Sequence, residues 1–132
     1  PAGGVILYVY HTNAKGVYPK LGSETGWGKR HGYYRGWIKT GADGQYTFYT
    51  SKPGHYPSRS DPAHIHFLVK EPDKNEYFIS DINFDDDPLL TAQDRNNPKP
   101  LGGPGIISLK KENTMWVAER NIILGLNITN YE

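Results

Sequence analysis

The chain has 132 residues, enough for one domain with a real core, and 15 basic against 14 acidic residues leave it at a net charge of +1. No block of like charge points to nucleic acid or a membrane surface, and no apolar run approaches a membrane span, so a soluble chain is expected. The lack of cysteine excludes disulfide scaffolds, zinc ribbons and thiol nucleophiles, and leaves the compartment open: cytoplasmic, or exported after signal removal.

Fifteen Gly and ten Pro, evenly spread, favour short strands joined by turns over long helices. The chain opens almost directly in a strand, Val5 to Tyr10, so a trimmed or mature form is expected. His11 to Gly16 is turn chemistry, and Tyr18-Pro19 follows extended, because a residue before proline avoids the helix. Leu21 to Gly32, with four Gly, reads as a surface loop. Tyr33 to Thr40 is the next strand, with Tyr34, Gly36 and Ile38 on one face and Arg35, Trp37 and Lys39 on the other. Gly41-Ala42-Asp43-Gly44 signals a hairpin, and Gln45 to Thr50 returns as a strand. Pro53-Gly54 turns towards Tyr56. Pro62 precedes a strand starting at His64, where a missing N–H does little harm. Glu71 to Asn75 is a polar turn and Glu76 to Ile82 a strand. Asp85-Asp86-Asp87 lacks the spacing of a calcium loop and reads as a solvated run. Pro88 to Gln93 suits a short helical turn, and Arg95 to Gly105 is loop. Gly105 to Lys110 and Thr114 to Leu124 close the domain as a hairpin. No repeat or dividing linker occurs. The sum is one all-β domain over 1–132, a β-sandwich with long irregular loops.

Several chemical motifs are missing. Gly102-Gly103-Pro104-Gly105 has no following Lys-Ser/Thr of a phosphate loop, and there is no Gly-x-Ser-x-Gly elbow. The candidates that remain are histidines and tyrosines. His64-Ile65-His66 places two imidazoles on one face of a strand, about 6–7 Å apart along it, able to converge on one metal ion. Taken alone, His-x-His is as readily a plain polar strand face. His11, His31 and His55 read as ordinary residues in or beside loops. Tyr18 and Tyr56 lie in loops one hairpin apart, a topology that can bring both to the rim of the His-x-His strand. Two phenolates and two neutral imidazoles would leave ferric iron at net charge +1, with room for an anionic substrate. Zinc sites seldom use tyrosine, so ferric iron fits the donor set best.

At these residues the chain resembles the intradiol ring-cleavage dioxygenases, the family of catechol, hydroxyquinol and protocatechuate dioxygenases. Val9-Tyr10-His11-Thr12-Asn13-Ala14-Lys15-Gly16-Val17-Tyr18 is similar to the segment carrying the family's first iron tyrosine. Gly36 to Thr40 and Asp43 to Phe48 resemble its central hairpin. Pro53-Gly54-His55-Tyr56-Pro57 matches the segment of the second tyrosine, and Pro62-Ala63-His64-Ile65-His66-Phe67 the histidine pair. The likeness runs from about Leu7 to Phe67, then through Tyr77 to Leu90 to small single-domain relatives. It implies a non-haem Fe(III) centre held by Tyr18, Tyr56, His64 and His66. It implies cleavage of a catechol-type ring between its two hydroxyl-bearing carbons with O2, giving a cis,cis-muconate-type diacid. It implies that Tyr56 leaves iron when substrate binds and acts as a base, while Tyr18 stays bound. The family's arginine three residues before the first histidine is Asp61 here. Arg59 is taken as the catalytic cation in its place, with Arg30 and Arg35 as other candidates. The expected partners are a small aromatic diol and O2, with no nucleic acid and no membrane, and self-association is left open. Two other readings stand beside this one. One is a non-catalytic β-sandwich that binds carbohydrate or protein, and the other an iron-binding relative with lost or altered activity.

Overall fold

The computed structural model describes residues 1–58 and 60–132. Ile6–Tyr10 forms β1, a run of β-branched and aromatic residues whose alternation sends Leu7 and Val9 to one face and Tyr8 and Tyr10 to the other. It pairs antiparallel on one side with β2 (Arg35–Lys39) and on the other with β3 (His64–Lys70). Further along, β3 pairs antiparallel with β4 (Tyr77–Phe78) and with β5 (Ile82–Phe84), and β6 (Ile106–Ile107) adds to β5 in parallel. These six strands make one sheet, and β7 (Lys110–Glu112) with β8 (Met115–Val117) makes a separate hairpin.

The two faces of the six-stranded sheet differ in chemistry. Leu7, Val9, Ile65, Phe67, Val69, Ile82 and Phe84 line the inner face, covered in part by Tyr46, Phe48, Leu109, Ala118, Ile122 and Leu124. Leu7, Phe67 and Val69 are the most deeply buried side chains, and burial of each contributes about 1.5–3 kcal/mol. The register puts Tyr10 between Arg35 and His66, and Tyr8 between Trp37 and Leu68, so all six share the outer face. A one-residue slip would put both histidines into the apolar core, so the hydrophobic pattern that fixes this register also fixes the site.

Strands outnumber helices among the described residues, as expected, and the strands over Val5 to Tyr10, Tyr33 to Thr40 and from His64 onward are present. Five local expectations are overturned. Gly26–His31, read as loop, is a helical turn (α1), held by Trp27 against Tyr8 and by His31 on Tyr10; tertiary contacts override its two glycines. Among the described residues Gln45 to Thr50 joins no ladder: Tyr46 and Phe48 pack on Phe67, but the segment's backbone pairs with other backbone only at the turn, Gly41 N–H to the Gln45 carbonyl. The expected strand from Glu76 to Ile82 is split into β4 and β5. The closing hairpin is smaller than expected, since Ile106–Ile107 joins the main sheet and only 110–117 forms the hairpin. The expected helical turn at Pro88 to Gln93 lies later, as α2 (Ala92–Arg95), where Thr91 and Asp94 form a capping box.

Candidate metal centre

The site grows from the outer face of β3. The Nδ1 of His64 lies 2.8 Å from the Pro62 carbonyl, which can only accept, so Nδ1 carries the hydrogen and Nε2 keeps its lone pair. The Nδ1 of His66 lies 3.0 Å from a carboxylate oxygen of Asp81, which sets the same tautomer. Both Nε2 atoms then face the phenol oxygen of Tyr56, at 3.0 Å from His64 and 3.3 Å from His66. The Tyr18 oxygen completes the group, 2.6 Å from that of Tyr56. The four expected donors are brought together.

Loop packing explains how two tyrosines 38 positions apart meet. The Asn13 side chain accepts from the N–H of Lys15 and Val17 and closes the turn before Tyr18. Its carbonyl accepts from Gly54 N–H at 2.9 Å, tying this turn to the loop that carries Tyr56. The approach is so close that a Cβ on Gly16 would sit 1.6 Å from the His55 carbonyl oxygen, and Gly16 also has a φ of +75°. A Cβ on Gly54 would lie 2.2 Å from the Ala14 carbonyl oxygen. Only glycine permits this contact.

The donor group has more lone pairs than hydrogens. Three contacts join the four atoms, but only the two phenols carry a hydrogen to place in them. One contact must therefore oppose two lone pairs, an arrangement that a cation among the four atoms relieves. Separations of 2.6 to 3.3 Å suit donors sharing one ion at bonds of about 2 Å. Burial, then the Tyr56 hydroxyl beside it, pushes the Tyr18 phenol far above its usual range, so without a cation it stays protonated. The residues present thus fit a Lewis-acidic metal ion of the kind that holds phenolates.

Further residues surround the donors, and sequence reasoning missed most of them. Tyr10 is sandwiched between His31 (ring centroids 3.7 Å apart, planes 8° apart) and His66 (4.5 Å and 25°). Burial, aided by the Asp81 charge, raises Tyr10 to about 12, so it backs His66 as a neutral phenol. His31 also shares a 2.8 Å hydrogen bond with Tyr8, and burial and nearby cations hold it below the usual histidine range. It is thus no ordinary loop residue. Nor is His55, whose Nε2 lies 2.9 Å from both oxygens of Asp87. Nor is His11, which is buried, bonded to the Thr12 carbonyl and Thr50 hydroxyl, and lowered by that burial. Asp87 is not solvated either: it is 6% exposed and accepts from the backbone of Ala63 and Leu89. Burial would raise its carboxyl, but those N–H groups and His55 outweigh that and hold it low. Asp81 could have been found from the alternation Asp81-Ile82-Asn83-Phe84, a half-buried strand pattern. The Arg59 assignment lies outside the described residues. Of the other cations, Arg35 bonds the Gly32 carbonyl and sits over Trp37.

The family model described as Dioxygenase matches residues 1–98. The chain is 32% identical to catechol 1,2-dioxygenase 1 of Acinetobacter lwoffii over an alignment of 108 residues, which covers 68% of this chain and 33% of that protein. It thus spans about one third of that relative's length. In fold it is similar to the dioxygenase domain of a dioxygenase carbohydrate-binding protein fusion from Streptomyces sp. SirexAA-E, with a TM-score of 0.68 and 24% identity. That match covers 96% of this chain and 71% of the other. The 3-chlorocatechol 1,2-dioxygenase of Rhodococcus opacus 1CP matches at a TM-score of 0.64 and 17% identity, over 92% of this chain and 52% of its own. With the two-tyrosine, two-histidine cluster in place, these likenesses lead to one assignment: the chain belongs to the intradiol ring-cleavage dioxygenase family.

Proposed function

We propose that residues 1–132 are a single catalytic domain that uses a non-haem Fe(III) held by Tyr18, Tyr56, His64 and His66 to cleave a catechol-type ring. The six-stranded sheet and the 110–117 hairpin are read as parts of a β-sandwich of the intradiol core type. The observation that carries the proposal is the meeting of two phenol oxygens and two Nε2 lone pairs at 2.6 to 3.3 Å. When bound, iron supplies the Lewis acid that holds the diol as a chelating dianion.

The chain's own residues divide the remaining work. Tyr56 is the proton acceptor: its oxygen touches all three other donors, so a proton delivered there is taken at the centre of the group. Tyr18 is the tyrosine that stays, because its ring packs beside Tyr10 in the buried outer-face cluster. Arg59 is proposed as the cation that steadies negative charge on the diol. Both atoms of O2 enter the product, so one diol and one O2 become one cis,cis-muconate-type diacid.

The test is to load the protein with iron(III) and follow colour, oxygen uptake and product. A wine-red protein, a colour change on adding catechol, and one O2 consumed per muconate formed are expected. Tyr56→Phe should alter the colour with the fold intact, and Arg59→Ala should keep iron but lose turnover. A protein that stays colourless after iron loading would sink the metal and the enzyme readings together. A coloured protein that forms no muconate from any catechol would leave iron binding without this reaction.

A further inference from the structure

We propose that Asp81 is a positioning residue for His66, fixing its tautomer and, through its charge, strengthening its Nε2 as a metal donor. The inference rests on the four-residue iron centre proposed above. Its first support is register. In the β3–β5 ladder His64 opposes Asn83 and Ile65 opposes Ile82, so the next step places Asp81 opposite His66 on the outer face. The second is the contact itself: Asp81 Oδ1 lies 3.0 Å from His66 Nδ1, on the side of the ring away from the phenols.

The backbone under Asp81 is held firmly. Ser80 donates to the Leu101 carbonyl and Asn83 to that of Gly105. Gly105 lies so close that a Cβ there would stand 2.0 Å from the Asp81 carbonyl oxygen. The ring of His66 is also stacked on Tyr10, so both its tilt and its tautomer are set before any metal arrives.

The two histidines are therefore unequal. His64 gives its Nδ1 hydrogen to a neutral carbonyl, and His66 gives its own to a carboxylate. A carboxylate partner makes imidazole a stronger donor, and its charge reaches the metal through the ring. Iron held this way is harder to reduce, and charge transfer into it from tyrosinate needs more energy. A different role is also within reach. An oxygen of Asp81 and ring nitrogens of His64 and His66 all lie within 4.8 Å of one another, so Asp81 could be a direct ligand in a two-histidine, one-carboxylate set. The bond to Nδ1 of His66 turns Asp81 away from the Nε2 atoms and favours the positioning role.

The experiment compares wild type, Asp81→Asn and Asp81→Ala, both metal-free and iron-loaded. In the metal-free protein, nitrogen NMR should show His66 with its hydrogen on Nδ1 in wild type and Asp81→Asn, and shifted towards Nε2 in Asp81→Ala. With iron, Asp81→Asn should keep full occupancy, move the tyrosinate band to longer wavelength and raise the iron midpoint potential. Asp81→Ala should weaken iron binding by about 10- to 100-fold. An unmoved band and potential in Asp81→Asn would overturn the proposal, as would an unchanged His66 tautomer in Asp81→Ala. Complete loss of iron in both variants, with wild-type iron uptake intact and their circular dichroism unchanged, would make Asp81 a direct ligand and overturn it too. Failure of the underlying iron reading looks different: wild type itself would take up no iron, while the tautomer result would stand.

Discussion

Asp87 shows how one buried carboxylate can hold a site it does not join. It grips His55, next to Tyr56, and the backbone N–H of Ala63, next to His64. Asp87→Ala would leave the Ala63 and Leu89 N–H groups without their acceptor, and a loss of about 2–4 kcal/mol is expected in urea unfolding. The sign with pH follows from the direction of its shift. A carboxyl held below its ordinary value of 3.8 stabilises the fold above that pH, and the contribution drains as acid protonates it. Wild type should therefore lose stability below about pH 4, and the Ala variant should lose less over that window. His11 adds an earlier step, since burial lowers it from 6.5: its neutral form suits the fold, and stability it lends above that pH falls as pH drops further.

Among the elements, the decisive contact is between two loops rather than two strands. The 13–18 turn and the 53–56 turn touch backbone to backbone through Gly16 and Gly54, and the two tyrosines sit at their ends. Gly16→Ala has to relieve a 1.6 Å overlap with the His55 carbonyl and also adopt a left-handed φ. The loops must part, so the variant should keep the β1–β3 ladder but lose the Tyr18–Tyr56 pair. Circular dichroism close to wild type with strongly reduced iron uptake is the expected result; normal uptake would show that this contact does not place the tyrosines. The α1 turn tells a related story. Its helical form depends on Trp27 and His31 finding Tyr8 and Tyr10.

Taken whole, the molecule puts its chemistry on one face of a sheet and its core on the other. Arg120 breaks the apolar character of the core side. It is 9% exposed, lies over the Phe67 ring at 5.1 Å, and its guanidinium nitrogens find no hydrogen-bond partner among the described residues. Burial pulls its pKa below the usual arginine range, which signals a cost of keeping charge there. Arg120→Met, similar in reach and apolar, should raise the stability of this 132-residue chain by about 1–3 kcal/mol, read from the urea midpoint. A lower midpoint would mean that the guanidinium contributes more than its desolvation costs. Since Arg120 lies on the face opposite the histidines, iron uptake should not change.

The sequence by itself determined the β3 strand and the facing of His64 and His66, while the two tyrosines worth pairing with them were singled out by the resemblance to the family's motifs. The strand and its facing follow from period-two alternation and from local turn residues, which act over a few positions of chain. It could not determine that Tyr18 and Tyr56 share a hydrogen bond, because that rests on a glycine contact between segments about forty residues apart. Nor could it show that Asp81 stands behind His66, which depends on the register of β5, or that Asp87 is buried rather than solvated. Alternation along one strand fixes which face each residue takes, but which strand or loop comes to lie beside it is set by which surfaces meet after the chain collapses. The tertiary structure decided which of five histidines and ten tyrosines share one face, and what stands behind them.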